Sequence, residues 1–404
     1  MTVLIGARQV GKTYLMRILQ AQLKAKGKKT VYFNLDIHGD RAMFRSQQRV
    51  IEYLSLHLGK TKGYVFIDEI QRKENAGLYL KGIYDTGLPY KFIVSGSGSL
   101  DLKAKMKESL AGRKRLFVIN PVSFEEFVHY KTDYRFEGRL EAFFSIEHDK
   151  TKRLLEEYMM FGGYPKVVEA QTSEKKKVVM DELYTSYIER DIIGLLEVVK
   201  PDAFTDLFNV LASQIGSLVN YTELASTIGI STTTVLQYLW YMEETYMIAK
   251  LTPYYRNVRS EITKAPVYYF KDIGMRNYLL GLFGVPSLPS GLSGHLFENL
   301  LYNNLCEAIR TSPARVHYWR TKDRAEVDFA FSVGLNVVPI EVKYAQLKAP
   351  TVGRSLRSFI TRYRPKDAYI VHLGERMEQT VDATRVHFVP YTDMVTNRNL
   401  FHTA

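Results

Sequence analysis

Apolar residues in the first 120 positions fall into short, nearly continuous runs at 3–5, 31–35, 64–67, 92–94 and 117–119, with helical-period segments between them. Near-continuous apolar strands alternating with helices predict an α/β arrangement, a parallel sheet covered on both faces. Asn120-Pro121 closes the last run, and Ser123 with Glu126 has the spacing of a capping box for the next helix. Helical patterning then runs through 154–160, breaks at Phe161-Gly162-Gly163-Tyr164-Pro165, and resumes through 184–191. From Ala212 the order is a helix through 218, a short helix at 222–228, a turn at Gly229 and a longer helix at 231–247. Strand candidates at 248–254 and 267–270 follow, so the segment predicts a helix-turn-helix with a wing, a winged helix. In the last third an amphipathic helix opens at Gly294 with Phe297, Leu301 and Leu305 on one face. Strands are predicted around 318–320, 326–329 and 337–343.

In a parallel sheet the ligand lies at the C-terminal strand ends, so the polar residues after each run are the ones to inspect. After the first comes Gly6-Ala7-Arg8-Gln9-Val10-Gly11-Lys12-Thr13, which fits the G-x-x-x-x-G-K-[ST] phosphate loop without mismatch. Tyr14, Leu15, Ile18 and Leu19 give the apolar period of the helix it opens. Backbone N–H groups from Gly6 to Tyr14 are expected to cradle the phosphates of ATP, with Lys12 reaching the β- and γ-phosphates and the Thr13 hydroxyl on Mg²⁺. After the third run Asp68 is expected to hold Mg²⁺ through its water shell and Glu69 to orient the attacking water. The plain alternative is a pair of acids capping the next helix. The fourth run ends in Ser95-Gly96-Ser97-Gly98-Ser99, where Ser97 or Ser99 is a candidate sensor of the γ-phosphate, against a simple turn. Arg113, just before the last strand and after a helix at 100–110, is expected to reach a neighbouring subunit's nucleotide as an arginine finger. Arg115 is the nearest substitute.

The segments GARQVGKT, VFIDEIQ, SGSGSL, ESLAGR and NPVSFEEF occur in this order. Together they resemble an uncharacterised family of AAA-type ATPases of bacteria and archaea with a C-terminal domain of unknown function. The resemblance spans nearly the whole chain. It implies a P-loop AAA-type ATPase core at 1–130, a helical region at 131–205, a winged-helix domain at 206–285 and an α/β domain at 286–404. The Gly162–Pro165 turn and the segment ending in Arg190-Asp191 also resemble family segments, the latter pointing to subunit packing or a lever. Family members usually carry a few dozen residues before the first strand, whereas Met1 abuts it here. Either this start is internal to the gene product, or the adenine-side wall comes from elsewhere.

Residues two apart on a strand share a face, so Glu341 and Lys343 qualify as a pair, with Asp328 on the strand before. An Asp followed by Glu-x-Lys resembles the signature of PD-(D/E)XK nucleases. In that resemblance Asp328 and Glu341 bind a divalent metal, Lys343 activates water or steadies the phosphorane, and Glu298 matches an extra helical acid. The C-terminal domain of the family above also looks like this fold. Cleavage, a DNA-binding scaffold without metal, and acids merely pairing with Lys343 all stay open. On the second helix of the winged segment Thr232, Thr233, Thr234 and Gln237 are the exposed candidates, with Arg256, Arg259 and Lys264 reaching phosphates. Winged helices serve equally as protein–protein spacers.

Length and charge sharpen this picture. At 404 residues the chain predicts two to four domains, and 46% apolar with 24% charged residues is ordinary for a globular protein. No run approaches a membrane span, and no basic-then-apolar leader is present. The single cysteine, Cys306, rules out an internal disulfide, fits a reducing cytoplasm and reads as packing. Lys and Arg number 55 against 43 Asp and Glu, an excess of 12 that favours a polyanionic partner. These expectations describe a cytoplasmic AAA-type ATPase using ATP and Mg²⁺. It would act on duplex or branched DNA as a homo-oligomer, a hexameric ring, with nuclease activity open. The alternative is a nucleotide-gated signalling or defence switch whose C-terminal domain binds a protein partner.

Overall fold

Each of the five apolar runs is a strand in the computed structural model, which describes residues 1–96, 112–194, 196, 198–255, 265–310, 312–397 and 400–401. They are β1 (Thr2–Ile5), β2 (Thr30–Asn34), β3 (Gly63–Asp68), β4 (Tyr90–Ser95) and β5 (Arg115–Val118), ordered 2-3-4-1-5 and parallel throughout. Parallel neighbours need crossover connections. These are supplied by α1 (Lys12–Ala25), α2 (His38–Met43), α3 (Gln47–Leu58) and α4 (Ala76–Asp85). Val3, Phe33, Val65 and Val94 pack with Val50, Leu54, Leu80 and Ile83 on one face, and Phe66 and Ile93 meet Met16 of α1 on the other. The register pairs Asn34 with Asp68 and Ile67 with Val94, so the C-terminal ends of β1, β3 and β4 come together.

The direction of α1 corrects the sequence pattern. Its inward face is Lys12, Met16 and Gln20, while Leu15, Ile18, Leu19 and, at 71% exposure, Tyr14 point outward. The loop fixes this. Lys12 is turned inward to bond the loop, and residues at i+4 and i+8 must follow it to the same side.

Beyond the sheet the described residues gather into further hydrophobic cores. Helices α5 (Phe124–Lys131), α6 (Leu140–Ile146) and α7 (His148–Phe161) share one core with the C-terminal region, where Phe124, Phe127, Phe144 and Leu155 join Phe297, Phe329 and Ile340. The Ser123–Glu126 capping box that starts α5 is formed in both directions. A second core gathers α8 (Pro165–Glu169), α9 (Ser173–Ser186), a π-helical stretch (Tyr187–Ile193), α10 (Pro201–Ser213), α11 (Tyr221–Ile228) and α12 (Thr232–Glu244). The antiparallel pair β6 (Ile248–Leu251) and β7 (Val267–Phe270) and helix α13 (Ile273–Leu279) complete it. The helix expected through 218 stops at Ser213, because Gly216 takes a left-handed φ of 74° and Leu218 bridges to Val267 instead. β6 ends early because Pro253 and Tyr254 leave to pair with Tyr318.

The C-terminal region runs α14 (Ser290–Ala308), β8 (Arg315–Arg320), β9 (Glu326–Val333), β10 (Asn336–Val342), α15 (Arg354–Tyr363), β11 (Asp367–His372), β12 (Met377–Val381), β13 (Thr384–Pro390) and α16 (Tyr391–Thr396). Its mixed sheet has the order 12-13-11-10-9-8, antiparallel through β8–β10 and parallel through β10, β11 and β13. Apolar residues of α14 and α15 join two separate cores around this sheet, and half-buried Cys306 packs against the first. No described helix is long and apolar enough to cross a membrane.

Candidate nucleotide site and a second acidic site

The loop after β1 is shaped by close backbone approach. Gly6 has φ 149°, and a Cβ there would lie 2.1 Å from the carbonyl oxygen of Ile119, so only glycine fits. Gln9 and Gly11 are left-handed at φ 58° and 95°, turning the loop sharply into α1. That helix has no side-chain cap and no acid in its first turn, leaving its N–H groups and positive dipole end available to an anion. Lys12 is buried, and its Nζ donates to the carbonyls of Gly6 at 3.0 Å and Ala7 at 2.6 Å. Burial lowers its pKa to about 8, against the opposing pull of Glu69, Asp191 and Asp68. Thr13 and Tyr14 are exposed beside it.

Asp68 is buried at the end of β3, where it accepts hydrogen bonds from the Tyr32 hydroxyl at 2.8 Å and from the Ser95 hydroxyl. Ser95 also accepts from the backbone N–H of Glu69 at 3.3 Å. Glu69 is left-handed at φ 57°, and its carboxylate accepts from the Gln71 amide. Ser95 is the last residue of β4 and was passed over in favour of the serines after it. The signal was the strand ladder, since Val94 opposite Ile67 puts Ser95 beside Asp68. Ser97 and Ser99 lie outside the described residues. Tyr32, whose ring carries the Arg17 guanidinium at 3.5 Å, has its pKa raised by burial and by Asp68.

A long-range contact ties this loop to the middle of the chain. Arg8 Nε donates to Asp191 Oδ1 at 2.6 Å, with Asp191 buried and Arg8 half-buried. Asp191 lies in the π-helical stretch, and burial raises its pKa despite the attraction of Arg8. Ala7 and Val10 of the loop sit in the same core as Tyr164, Val167 and Tyr187.

In the C-terminal region the β9–β10 ladder runs from Asn336 opposite Val333 to Ile340 opposite Phe329 and stops there. Just beyond, Asp328 accepts the Val342 N–H at 2.6 Å with its carboxylate. Glu341 Oε1 pairs with Lys343 Nζ at 2.7 Å, whereas Glu341 Oε2 is buried without a hydrogen-bond partner. Burial, and then the neighbouring charges of Glu298 and Glu341, push Asp328 well above the usual carboxylate range. The structure therefore brings Asp328, Glu341, Lys343 and Glu298 within electrostatic reach of one another. Glu298 accepts from the Tyr269 hydroxyl and faces His295 Nδ1 at 3.5 Å, which raises the His295 pKa. Among the described residues no three His, Cys, Asp or Glu side chains are disposed to hold a metal ion.

Comparison with known proteins bears on the region that holds the first of these sites. The AAA domain family matches residues 1–128, a span that contains the whole parallel sheet, the phosphate loop, Asp68 and Glu69. Residues 1–128 are thus similar to AAA domains. Two further matches, at 152–285 and 293–394, are each described as a domain of unknown function (DUF8612 and DUF4143). An uncharacterized protein of Mycobacterium tuberculosis is 26% identical over 379 residues, 92% of this chain and 76% of its own length. One of Methanocaldococcus jannaschii is 24% identical over 363 residues, 88% of this chain and 77% of its own. Among solved structures, a replication initiator DnaA bound to AMPPCP and single-stranded DNA aligns over 60% of this chain and 82% of its own at 15% identity, with a TM-score of 0.29. That shape similarity is too slight to bear on fold or function here.

Arg113 of the AAA-type domain stands just before β5, where its Nε bonds Asp85 Oδ1 of α4 at 3.0 Å. Within one chain it thus has an acid partner. On α12, Thr232, Thr233 and Gln237 are exposed and Thr234 is half-buried, but Leu236 and Trp240 are also 45% and 50% exposed. The helix contains no lysine or arginine. Arg256, Arg259 and Lys264 lie outside the described residues.

Proposed function

We propose that this chain hydrolyses ATP at the AAA-type domain and uses the cycle to act on duplex or branched DNA. The observation that carries the reading is the convergence of Lys12, Asp68 and Glu69 in one electrostatic cluster at the strand ends, beside an uncapped helix N-terminus. Lys12 exchanges loop carbonyls for β- and γ-phosphate oxygens, which are stronger acceptors. Thr13 and Asp68 would hold Mg²⁺, a hard cation suited to oxygen ligands. When bound, it neutralises charge on the phosphates. Glu69 aligns water in line with the γ-phosphorus and takes a proton from it as the water oxygen adds and the bond to the β–γ bridging oxygen breaks, releasing ADP and inorganic phosphate. Ser95 and Tyr32 keep Asp68 in place. ATP hydrolysis is expected to fall at least about a hundredfold in Lys12→Ala and in Glu69→Gln. Wild-type rates in either would overturn the assignment.

The proposal extends to a homo-oligomer, a hexameric ring in which Arg113 leaves Asp85 to reach the next subunit's nucleotide. It also takes 206–285 as a winged helix and the C-terminal region as a nuclease-like domain acting on DNA. Glu341 Oε2, buried without a partner beside an Asp328 already crowded by negative charge, fits a divalent cation held by these two acids, with Lys343 next to it. Mg²⁺- or Mn²⁺-dependent nicking that disappears in Asp328→Ala tests the nuclease. Absence of cutting with either metal would leave a binding scaffold.

One observation favours a second reading, a nucleotide-gated switch with a protein partner. The outward face of α12 joins Leu236 and Trp240 and lacks any cation for DNA phosphates. Stimulation of the ATPase by DNA, falling steeply with salt, supports the first reading. Equal rates with and without DNA support the second.

A further inference from the structure

The C-terminal region also contains a cavity of about 570 Å³ between the turn joining β8 to β9 and the side of α15 that carries Arg354, Ser355, Ser358 and Arg362. Five cationic side chains line it, Arg320, Lys322 and Arg324 from the turn side and Arg354 and Arg362 from the helix, against a single acid, Asp323. Only Arg320 has an ion-pair partner among the described residues, Glu326 at 3.4 Å. Hydroxyls of Thr321, Ser355 and Ser358 add donors, and Ser355 is held in place by the backbone N–H of Glu326 at 3.2 Å. Helix α15 starts at Gly353 with no side-chain cap and no acid in its first turn, so its dipole adds to the positive field. Tyr255 and Ala325 are the exceptions in a lining otherwise made of charged and Ser or Thr side chains.

We infer that this cavity receives the phosphodiester backbone of a nucleic-acid strand. The inference rests on the DNA-acting reading above and adds the place where the strand is gripped. Arginine, lysine, hydroxyl and helix-terminal N–H groups are the usual partners of backbone phosphates. The cations come from two walls, the turn that carries Arg320, Lys322 and Arg324 and the helix that carries Arg354 and Arg362, so a strand lying in the cavity meets positive charge on both sides. The Tyr255 ring supplies a surface on which a base stacks. Glu326 links the cavity to the acidic site, since it pairs with Arg320 and stands two residues from Asp328 on β9.

The test is fluorescence anisotropy of a labelled 30-nucleotide strand, single and duplex, with the full chain over a salt series. Arg354→Ala/Arg362→Ala is expected to bind at least about tenfold more weakly, with a log–log salt slope shallower by about two, one for each cation removed. Lys322→Ala, on the exposed turn, serves if the double variant fails to melt like wild type, with a slope change of about one. Arg385→Ala, on β13 and outside the cavity, should bind like wild type. Binding by the wild type with no change in either cavity variant overturns the inference while leaving the DNA reading intact. No DNA binding by the wild type at any salt overturns both. If the variants lose tripolyphosphate binding but keep DNA, the cavity serves a free polyphosphate and the inference falls.

Discussion

At the phosphate loop the positive groups are already bonded to the protein, Lys12 to two loop carbonyls and Arg8 to Asp191. At the C-terminal acids the surplus is negative and less well matched. Lys343 satisfies one oxygen of Glu341, the other has no partner, and Asp328 is pushed toward its protonated form. The first site keeps Lys12 in reserve behind neutral carbonyls, ready for a polyanion, while Arg8 is committed to Asp191. The second keeps acids in a state that a cation would relieve. Burial works in both, lowering the pKa of Lys12 and raising that of Asp328, since in each case it disfavours the charged form.

The largest effect that could break this comparison is at Arg8. If its bond to Asp191 holds the loop, Arg8→Ala strands a buried carboxylate and should lower stability by about 3 kcal/mol in denaturant titration. Arg8→Ala/Asp191→Ala should cost less than the two single changes added together. A loss under about 1 kcal/mol would show the pair to be incidental. Next is the titration of Lys12. A triphosphate prefers the ammonium form, so ATP affinity should be level below pH 8 and weaken by about tenfold per pH unit above it. Calorimetry showing a flat profile to pH 10 would remove Lys12 from the phosphate contact. Smallest is Asp328→Asn. The raised pKa means that stability from protonated Asp328 is present below pH 4 and lost as pH rises through its folded value. The neutral amide, still able to accept the Val342 N–H, should be about 1 kcal/mol more stable than wild type at pH 8 and equal to it at pH 4. Mn²⁺ should raise the melting point of the wild type but not of this variant. The opposite order would mean that the acids are already compensated.

How much of this was legible in the sequence depends on how far apart the interacting residues lie. The five strands and the loop were readable because continuous apolar runs and a contiguous glycine motif encode them locally. The Ser123–Glu126 cap was readable for the same reason. Strand ends were less so, since they depend on pairing. β5 begins at Arg115, whose N–H bonds the Met1 carbonyl. The facing of α1 was misjudged because apolar period alone ignores the buried amine at its first position. Asp191 is 183 residues from Arg8, and no local pattern announces that contact. The acids near Asp328 were found by spacing, but Tyr269, which occupies Glu298, comes from β7 and leaves no trace in the Glu-x-Lys motif.

The seating of Ala7 and Val10 among Tyr164, Val167 and Tyr187 has a practical consequence for anyone dividing this molecule. A fragment cut after residue 128 would leave two loop side chains facing water and Arg8 without its countercharge. The nucleotide loop is therefore not a portable cassette. Chimeras that exchange the first 128 residues between relatives must carry a matched 164–192 segment with them, and lesions in that segment will register as faults in nucleotide handling.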